Sequence, residues 1–341
     1  MELTQLVAAV LDQYNISPSA STPVRIGSGH INDTFSIGEK FVLQRLNTNI
    51  FKKPEAISNN LSIASSHLKN VEPDYLFLEP YRNRKGDLLT RDAAGGYWRL
   101  FDYIEQGVSV NEISNSDQAF QAAKAFGKLT RLLETSDISK YQATIEKFHD
   151  LRWRWKQFES ALINAEKSRK LEGEEAIAAY LGFKTLVNEY ESLIQSGLLQ
   201  LHITHNDTKI NNVLFNAELS DVLCVIDLDT LMPGYFIYDL GDMVRTFSSP
   251  VSEEESDYSK IQVRKDVLES TYEGYLSEMG EILSKEELEV LPRAGAMMTF
   301  VIGLRFLTDY LSGDTYYKTS YSGQNLVRAT NQLVLLQQLI G

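Results

Sequence analysis

The stretch His205-Asn206-Asp207-Thr208-Lys209-Ile210-Asn211-Asn212, followed by Val225-Ile226-Asp227-Leu228-Asp229, decides how this chain is read. An Asp with an Asn five positions later, then a second Asp closing an apolar run, is the spacing of a phosphoryl-transfer catalytic loop and its metal strand. In that arrangement one carboxylate receives the acceptor's hydroxyl proton, while the Asn and the second Asp hold magnesium. Phosphoryl transfer asks for little covalent help; it needs negative charge neutralised and two oxygens held in line. Magnesium takes hard oxygen ligands and keeps several waters, so one carboxylate and one amide carbonyl suffice beside a nucleotide's phosphates. Asp207 is therefore the expected base, and Asn212 and Asp227 are the expected metal ligands. Lys209, two residues past Asp207, can reach the transferring phosphoryl group and offset its charge.

Around this stretch, Asn211–Phe215 and Leu223–Ile226 read as two short strands, a hairpin across Asn216 to Asp221. The hairpin would carry Asn212 at its entry and Asp227 at its exit, facing one another across a cleft. A lone Asp before a turn is ordinarily a cap; four matches at coupled spacing are not explained by capping. His202 and His205 form an H-x-x-H, but the chain has one Cys and no third nitrogen or sulfur ligand nearby, so zinc is not expected. His205 is expected to pack beneath the loop and brace Asp207.

The charge balance, 33 basic against 46 acidic residues and a formal net charge of −13, argues against nucleic acid or anionic membrane as the main partner. Local positive charge and magnesium still allow a nucleotide. Met1–Gln5 lacks the basic region and apolar core of a secretory signal, and no uninterrupted apolar run approaches the roughly twenty residues of a membrane helix. A cytoplasmic protein is the expectation. Cys224, inside an apolar run, reads as an inert core thiol.

Along the chain, residues 3 to 14 carry helical periodicity, and strands are expected at Val24–Ile26, Thr34–Ile37 and from Phe41. A helix follows from Pro54 to about Asn70, then strand-like runs at Tyr75–Pro80 and Gly96–Ile104. Past Glu105-Gln106-Gly107 the pattern predicts helices near 117–134, 150–166, 173–195, 236–247, 262–280, 285–311 and 322–339. The reading is an α+β, bilobal, protein-kinase-like fold: a small β-rich nucleotide-binding lobe over 1–104 and a larger helical catalytic lobe over 105–341. The turn Gly27-Ser28-Gly29, between two strand signals, lets backbone N–H groups approach phosphate closely. No G-K-[ST] follows it and no helix flanks it, so it is neither a Walker loop nor a dinucleotide fingerprint.

The run His205–Phe215, with Ile226-Asp227-Leu228-Asp229-Thr230-Leu231-Met232-Pro233-Gly234 and Tyr238-Asp239-Leu240-Gly241-Asp242, resembles the aminoglycoside phosphotransferase/choline kinase superfamily. Within it, the stretches Gly27–Phe35, Val42–Asn47 and Tyr97–Leu100 are most similar to the N-acetylhexosamine 1-kinase group, over about residues 20 to 250. The resemblance implies an ATP- and magnesium-dependent kinase for the anomeric hydroxyl of GlcNAc or GalNAc. It implies Asp207 as base, Asn212 and Asp227 as metal ligands, and Asp239 as a buried brace for the loop. Asp229 would bind metal or sugar, and His30, Asn32 and Arg305 would lie near the sugar; a lone Arg305 on an apolar helix face could also simply snorkel. Kinases place a Lys on the third strand, where this chain has Gln44 and Arg45; either could supply the nucleotide side, and Glu55 could pair with Arg45 or serve as a first-turn charge. The hinge around Phe101 and Tyr103 would receive adenine through backbone groups. Competing readings are a kinase for choline, homoserine or an aminoglycoside, and a nucleotide-binding pseudokinase, against which the intact Asp207, Asn212 and Asp227 argue.

Overall fold

The computed structural model describes residues 3–16, 23–26 and 31–341. Gly27, Ser28, Gly29 and His30 lie outside the described residues. The first lobe opens with α1 (Leu3–Asp12), then β1 (Val24–Arg25), β2 (Asp33–Ile37), β3 (Phe41–Arg45), α2 (Pro54–Val71), β4 (Thr90–Arg91) and β5 (Tyr97–Asp102). The strands form one antiparallel sheet in the order β1-β2-β3-β5-β4. Alternation divides its faces. Phe35, Ile37, Leu43, Trp98 and Leu100 pack against Val7, Val10 and Leu11 of α1, while the register sets Gln44 between Thr34 and Arg99 on the other face. Gly38 and Glu39, both at positive φ (60° and 53°), make the tight β2–β3 turn.

Pro54 starts α2, where its missing N–H is harmless, and Ile57, Leu61, Ala64 and Leu68 join the main core of the second lobe. The strand expected at Tyr75–Pro80 does not form: the segment makes only local backbone bonds, such as Glu79 N–H to Phe77 O (3.1 Å), and the next residue, Tyr81, donates to Leu100 O (2.8 Å). Pro80 has no donor to continue a ladder, and Glu79 instead ties the segment to α2 through Ser65 and Lys69.

The second lobe contains α3 (Ser116–Leu133), α4 (Leu151–Asn164), α5 (Lys167–Glu172), α6 (Glu174–Gly182), α7 (Lys184–Ser196), β6 (Leu201–Thr204), β7 (Val213–Phe215), β8 (Val222–Val225), β9 (Met232–Tyr235), α8 (Phe236–Phe247), α9 (Lys265–Met279), α10 (Lys285–Val290), α11 (Ala294–Leu311) and α12 (Gln324–Ile340). The single helix expected over 173–195 is broken at Gly182 and Phe183 into α6 and α7, and the short α5 before Gly173 was not anticipated. The one expected over 285–311 is interrupted at Leu291-Pro292-Arg293, where Pro292 cannot donate to the preceding turn. The pairing of β6 with β9 was not anticipated; β7 and β8 form the expected hairpin.

By length and composition the 285–311 run could cross a membrane, but α11 is a core helix, buried at every position except Thr308. It crosses α8 closely: a Cβ on Gly241 would collide with Ala294 O and Met298.

One buried charge cluster ties three of these elements together. His202 of β6 lies between Glu134, just past α3 (2.8 Å), and Glu287 of α10 (3.5 Å). Burial alone would depress its pKa, but the two carboxylates outweigh that and lift it to about 9. A folded pKa above the unfolded value of about 6.5 gives stability that is fully present below that value and lost as pH rises through about 9. The melting temperature is therefore expected to fall as pH is raised through about 7–9, and His202→Gln to flatten that decline. An unchanged decline in the variant would remove His202 as its source.

Candidate active site

The catalytic loop hangs between β6 and the β7–β8 hairpin. Its first turn needs a left-handed residue, supplied by Asn206 at φ 64°, a conformation Asn tolerates better than most side chains. The Asn206 side chain is buried and donates to the carbonyls of Thr204 and Thr230, both at 3.0 Å. Gly234 is required opposite, because a Cβ there would strike Thr204 Oγ1 and Asn206 Oδ1. Asp239, at the start of α8, is fully buried and accepts the backbone N–H groups of His205 (2.9 Å) and Asn206 (2.6 Å). Burial pushes its pKa up to about 6, against the pull of His205 and these two donors. Thr208 Oγ1 closes the other side on Asp239 O (2.7 Å).

His205 joins the two parts of the motif. Its Nδ1 accepts from the Asp207 backbone N–H (3.2 Å), which places the proton on Nε2, and Nε2 donates to Ile226 O (2.9 Å). The loop that carries Asp207 and the strand end that presents Asp227 thus share one imidazole.

Asn212 Nδ2 donates to both the Asp207 carbonyl (2.8 Å) and its carboxylate (3.1 Å). Asp227 adopts a left-handed conformation (φ 56°, ψ 53°) two residues past the end of β8. Its side chain opens to the cleft, yet crowding by the surrounding chain, and then the charges of Asp229 and Asp207, push its pKa up to about 7. Asp229 is buried and pairs with Arg99, and it accepts from Asn32 Nδ2 at 2.7 Å. Asn32 in turn accepts from the Asn47 backbone (3.0 Å), so Asp229 links the two lobes.

Gln44 occupies the cleft face of β3, where it accepts from Arg99 Nε (3.1 Å) and Nη2 (2.8 Å). The cation on this face comes from the neighbouring strand: Arg99 lies across the ladder from Gln44, beneath the Phe101 ring (4.9 Å). Arg45 points to the α1 face, over Trp98 (5.7 Å) and toward Asp92 (3.9 Å). Glu55 pairs with Arg91 (3.4 Å) and Tyr97 (2.8 Å) rather than Arg45. The Tyr103 N–H is held by Lys40 O (2.9 Å).

On the far side of Asp207, Arg305 is buried with its guanidinium stacked on Phe148 (4.8 Å), Tyr317 (5.6 Å) and Tyr316 (5.8 Å). Half-buried Arg154 lies beside it, bonded to Phe148 O and Gln157. Among the described residues neither arginine pairs with a carboxylate. Burial lowers Arg154 to about 10, with Arg305 adding to the effect. His149 donates to Asn206 O (2.8 Å), and burial, then Arg305 and Arg154, hold its pKa well below the ordinary value. Asp309 of α11 fixes the wall of this pocket by accepting the backbone N–H groups of Thr315, Tyr316 and Tyr317 at 2.8–2.9 Å.

The donor set suits a hard divalent cation. Among the described residues the carboxylate of Asp227 and Asn212 Oδ1 have no hydrogen-bond partner, and the charges of Asp229 and Asp207 bear on Asp227 against those of Arg99 and Lys209. Arg99 Nη1 is buried and without a hydrogen-bond partner. The structure places Asp207, Asn212, Asp227, Asp229, Asn32, His205 and Asp239 close to one another, beside Arg99, His149 and Arg154, which the sequence reading did not single out. Arg99 had a signal, a charge within the apolar strand Tyr97–Asp102; the other two had none.

Residues 22–266 match the model of a family described as the phosphotransferase enzyme family. Three solved structures are similar over nearly the whole chain. An amicoumacin kinase, hAmiN, solved with AMP-PNP, Ca2+ and Ami, has a TM-score of 0.64 at 13% identity, covering 99% of this chain and 94% of that one. Spectinomycin phosphotransferase APH(9)-Ia, solved with ADP and spectinomycin, has a TM-score of 0.62 at 16% identity, with 98% and 97% covered. A microcompartment-associated aminopropanol kinase has a TM-score of 0.61 at 15% identity, with the same coverage. At these identities the likeness establishes the aminoglycoside phosphotransferase-type, bilobal kinase fold.

Proposed function

The chain belongs to the phosphotransferase enzyme family, and from that premise we propose that it transfers the γ-phosphoryl group of ATP to the anomeric hydroxyl of an N-acetylhexosamine, GlcNAc or GalNAc. The observation that carries the mechanism is the Asp207 carboxylate held by Asn212, with Asp227 at the exit of the same hairpin. Asp207 accepts the acceptor's proton, and the Asn212 N–H keeps the receiving oxygen aimed. Asn212 and Asp227 would hold magnesium, which when bound would supply positive charge against the nucleotide's phosphates. Arg99 offers its free Nη1 to the phosphates, and Asp229, engaged by Arg99 and Asn32, keeps the two lobes in register.

The acceptor class is supported by charge. Two arginines without a carboxylate partner lie beside the base, and His149 stays neutral between them, so the pocket repels an ammonium group. A neutral sugar, stacking its C–H face on Phe148 or Tyr316 and giving acetamido and hydroxyl oxygens to Arg305, satisfies the same groups. The aminopropanol and spectinomycin enzymes share this fold, and an amine-bearing acceptor is the rival reading. An anomeric hydroxyl is more acidic than an ordinary alcohol, so a single carboxylate base suffices.

ADP release measured across sugars, amino alcohols and aminoglycosides is expected to single out N-acetylhexosamines. Phosphorus NMR is expected to show a 1-phosphate, and the methyl glycosides, with the anomeric oxygen blocked, to be inert. A 6-phosphate or turnover of a methyl glycoside would sink the 1-kinase reading, preference for an amine would establish the rival, and no ADP release with any acceptor would leave a pseudokinase.

A further inference from the structure

Lys209 does not stand free in the cleft. Its ammonium lies 3.6 Å from Glu253 Oε1, and Glu253 comes from the connection between α8 and α9, more than forty positions away in the chain. The other carboxylate oxygen, Oε2, takes Arg245 Nη1 at 2.6 Å. Arg245 is buried and also pairs with Asp242 (2.8 Å) and reaches Gln332 (3.3 Å). Glu253 is thus anchored firmly through one oxygen and presents the other to the lysine at looser range.

Its backbone is fixed as well. Neighbouring Glu254 is held by Arg328 (2.8 Å to Nε) and by Gln324 (2.7 Å). Asn331 of α12 donates to the carbonyls of Ser252 (3.2 Å) and Glu255 (3.0 Å). Burial would raise the Glu253 carboxyl, but Lys209 and Arg245 prevail and hold it down to about 2, while Glu253 is the largest influence raising the lysine's pKa.

We propose that Glu253 is a positioning residue for the phosphotransferase reaction, tethering Lys209 beside Asp207 so that its ammonium is already oriented when the transferring phosphoryl group arrives. The inference rests on the functional reading above. A free lysine loses rotamer entropy when it seizes a ligand, and a tether removes part of that loss beforehand. At 3.6 Å the contact is an electrostatic hold, not a closed hydrogen bond. The lysine can therefore move onto a phosphoryl oxygen without breaking a tight pair.

The test uses Glu253→Gln, Lys209→Ala and the double variant of the full chain. Glu253→Gln is expected to lower kcat about tenfold, with KM for ATP within about twofold, and to have no further effect in the Lys209→Ala background. Acylation of Lys209 by an amine-reactive ester, followed by peptide mass spectrometry, is expected to be several-fold faster in Glu253→Gln. That readout needs no turnover, so it decides the hold on Lys209 even where no acceptor is found; wild-type protein that releases no ADP counts against the functional reading alone. If Glu253→Gln does not fold, Glu253→Asp, which keeps the charge but shortens its reach, is expected to show a smaller rise in labelling. Unchanged labelling, or a loss of kcat that persists without Lys209, would overturn the proposal and leave Glu253 as a partner of Arg245 only.

Discussion

Asp207→Asn lowers turnover by about 10²–10⁴-fold, the range a general base contributes, while the melting temperature and nucleotide affinity stay near those of the parent. The side-chain amide can still accept from Asn212 Nδ2, the bond that orients the carboxylate now at 3.1 Å. The loop itself is held by Asp239, His205 and Asn206 rather than by Asp207. What disappears is the capacity to take a proton. Single-turnover kinetics with the preferred acceptor check the result, and near-parental rates would remove Asp207 from the mechanism.

Asp227→Asn has two consequences of opposite sign. It is expected to abolish the difference in ATP affinity with and without magnesium, because an amide oxygen in place of the carboxylate leaves the cation too little charge. Asn tolerates the left-handed conformation required at this position (φ 56°), so the substitution tests charge and not backbone strain. In metal-free, nucleotide-free protein the same change is expected to stabilise the fold slightly at pH 8. The parent carboxyl is raised to about 7 by its crowded surroundings and by Asp229 and Asp207. Folding therefore disfavours its ionisation, and this penalty grows as pH rises from about 4 to about 7. Because the side chain opens to water in the cleft, screening keeps the gain small, and at pH 4 it is expected to vanish. Calorimetry and melting curves check both; magnesium-dependent affinity surviving in the variant would show that the metal is held elsewhere.

These predictions draw on residues that were legible to different degrees. The catalytic loop and the metal strand could be read directly because their chemistry dictates short, local spacing: base, amide and carboxylate must sit on one turn and one hairpin. The helices α3, α8 and α12 were legible for a similar reason, their apolar positions repeating at helical spacing within a single segment. Where local signals failed, a longer-range demand prevailed. Tyr75–Pro80 has strand-like residues but no ladder, being tied to α2 by the Glu79 side chain. β6 and β9 are only four residues each, and their pairing has no local signature. The segment 173–195 kept helical composition, yet it is divided at Gly182.

The sequence by itself determined that Asp207, Asn212 and Asp227 lie near one another, because they are joined by a hairpin whose partners lie within some twenty residues. It also determined the two-lobed order of strands before helices, and the brace at Asp239. Only the tertiary structure decided where the cleft obtains its positive charge. Neither strand position weighed for the nucleotide supplies it directly: Gln44 is neutral, Arg45 faces α1, and the cation is Arg99, brought opposite Gln44 by the register of β3 with β5. The cluster around Arg305 was likewise hidden. Phe148 and Arg154 lie in one stretch and Arg305 and Tyr316 in another, some 150 positions away, and the two meet only when α4 and α11 pack. Spacing along the chain records partners a few bonds or one turn apart; the charge of a cleft is a sum over distant segments, and packing alone performs that sum.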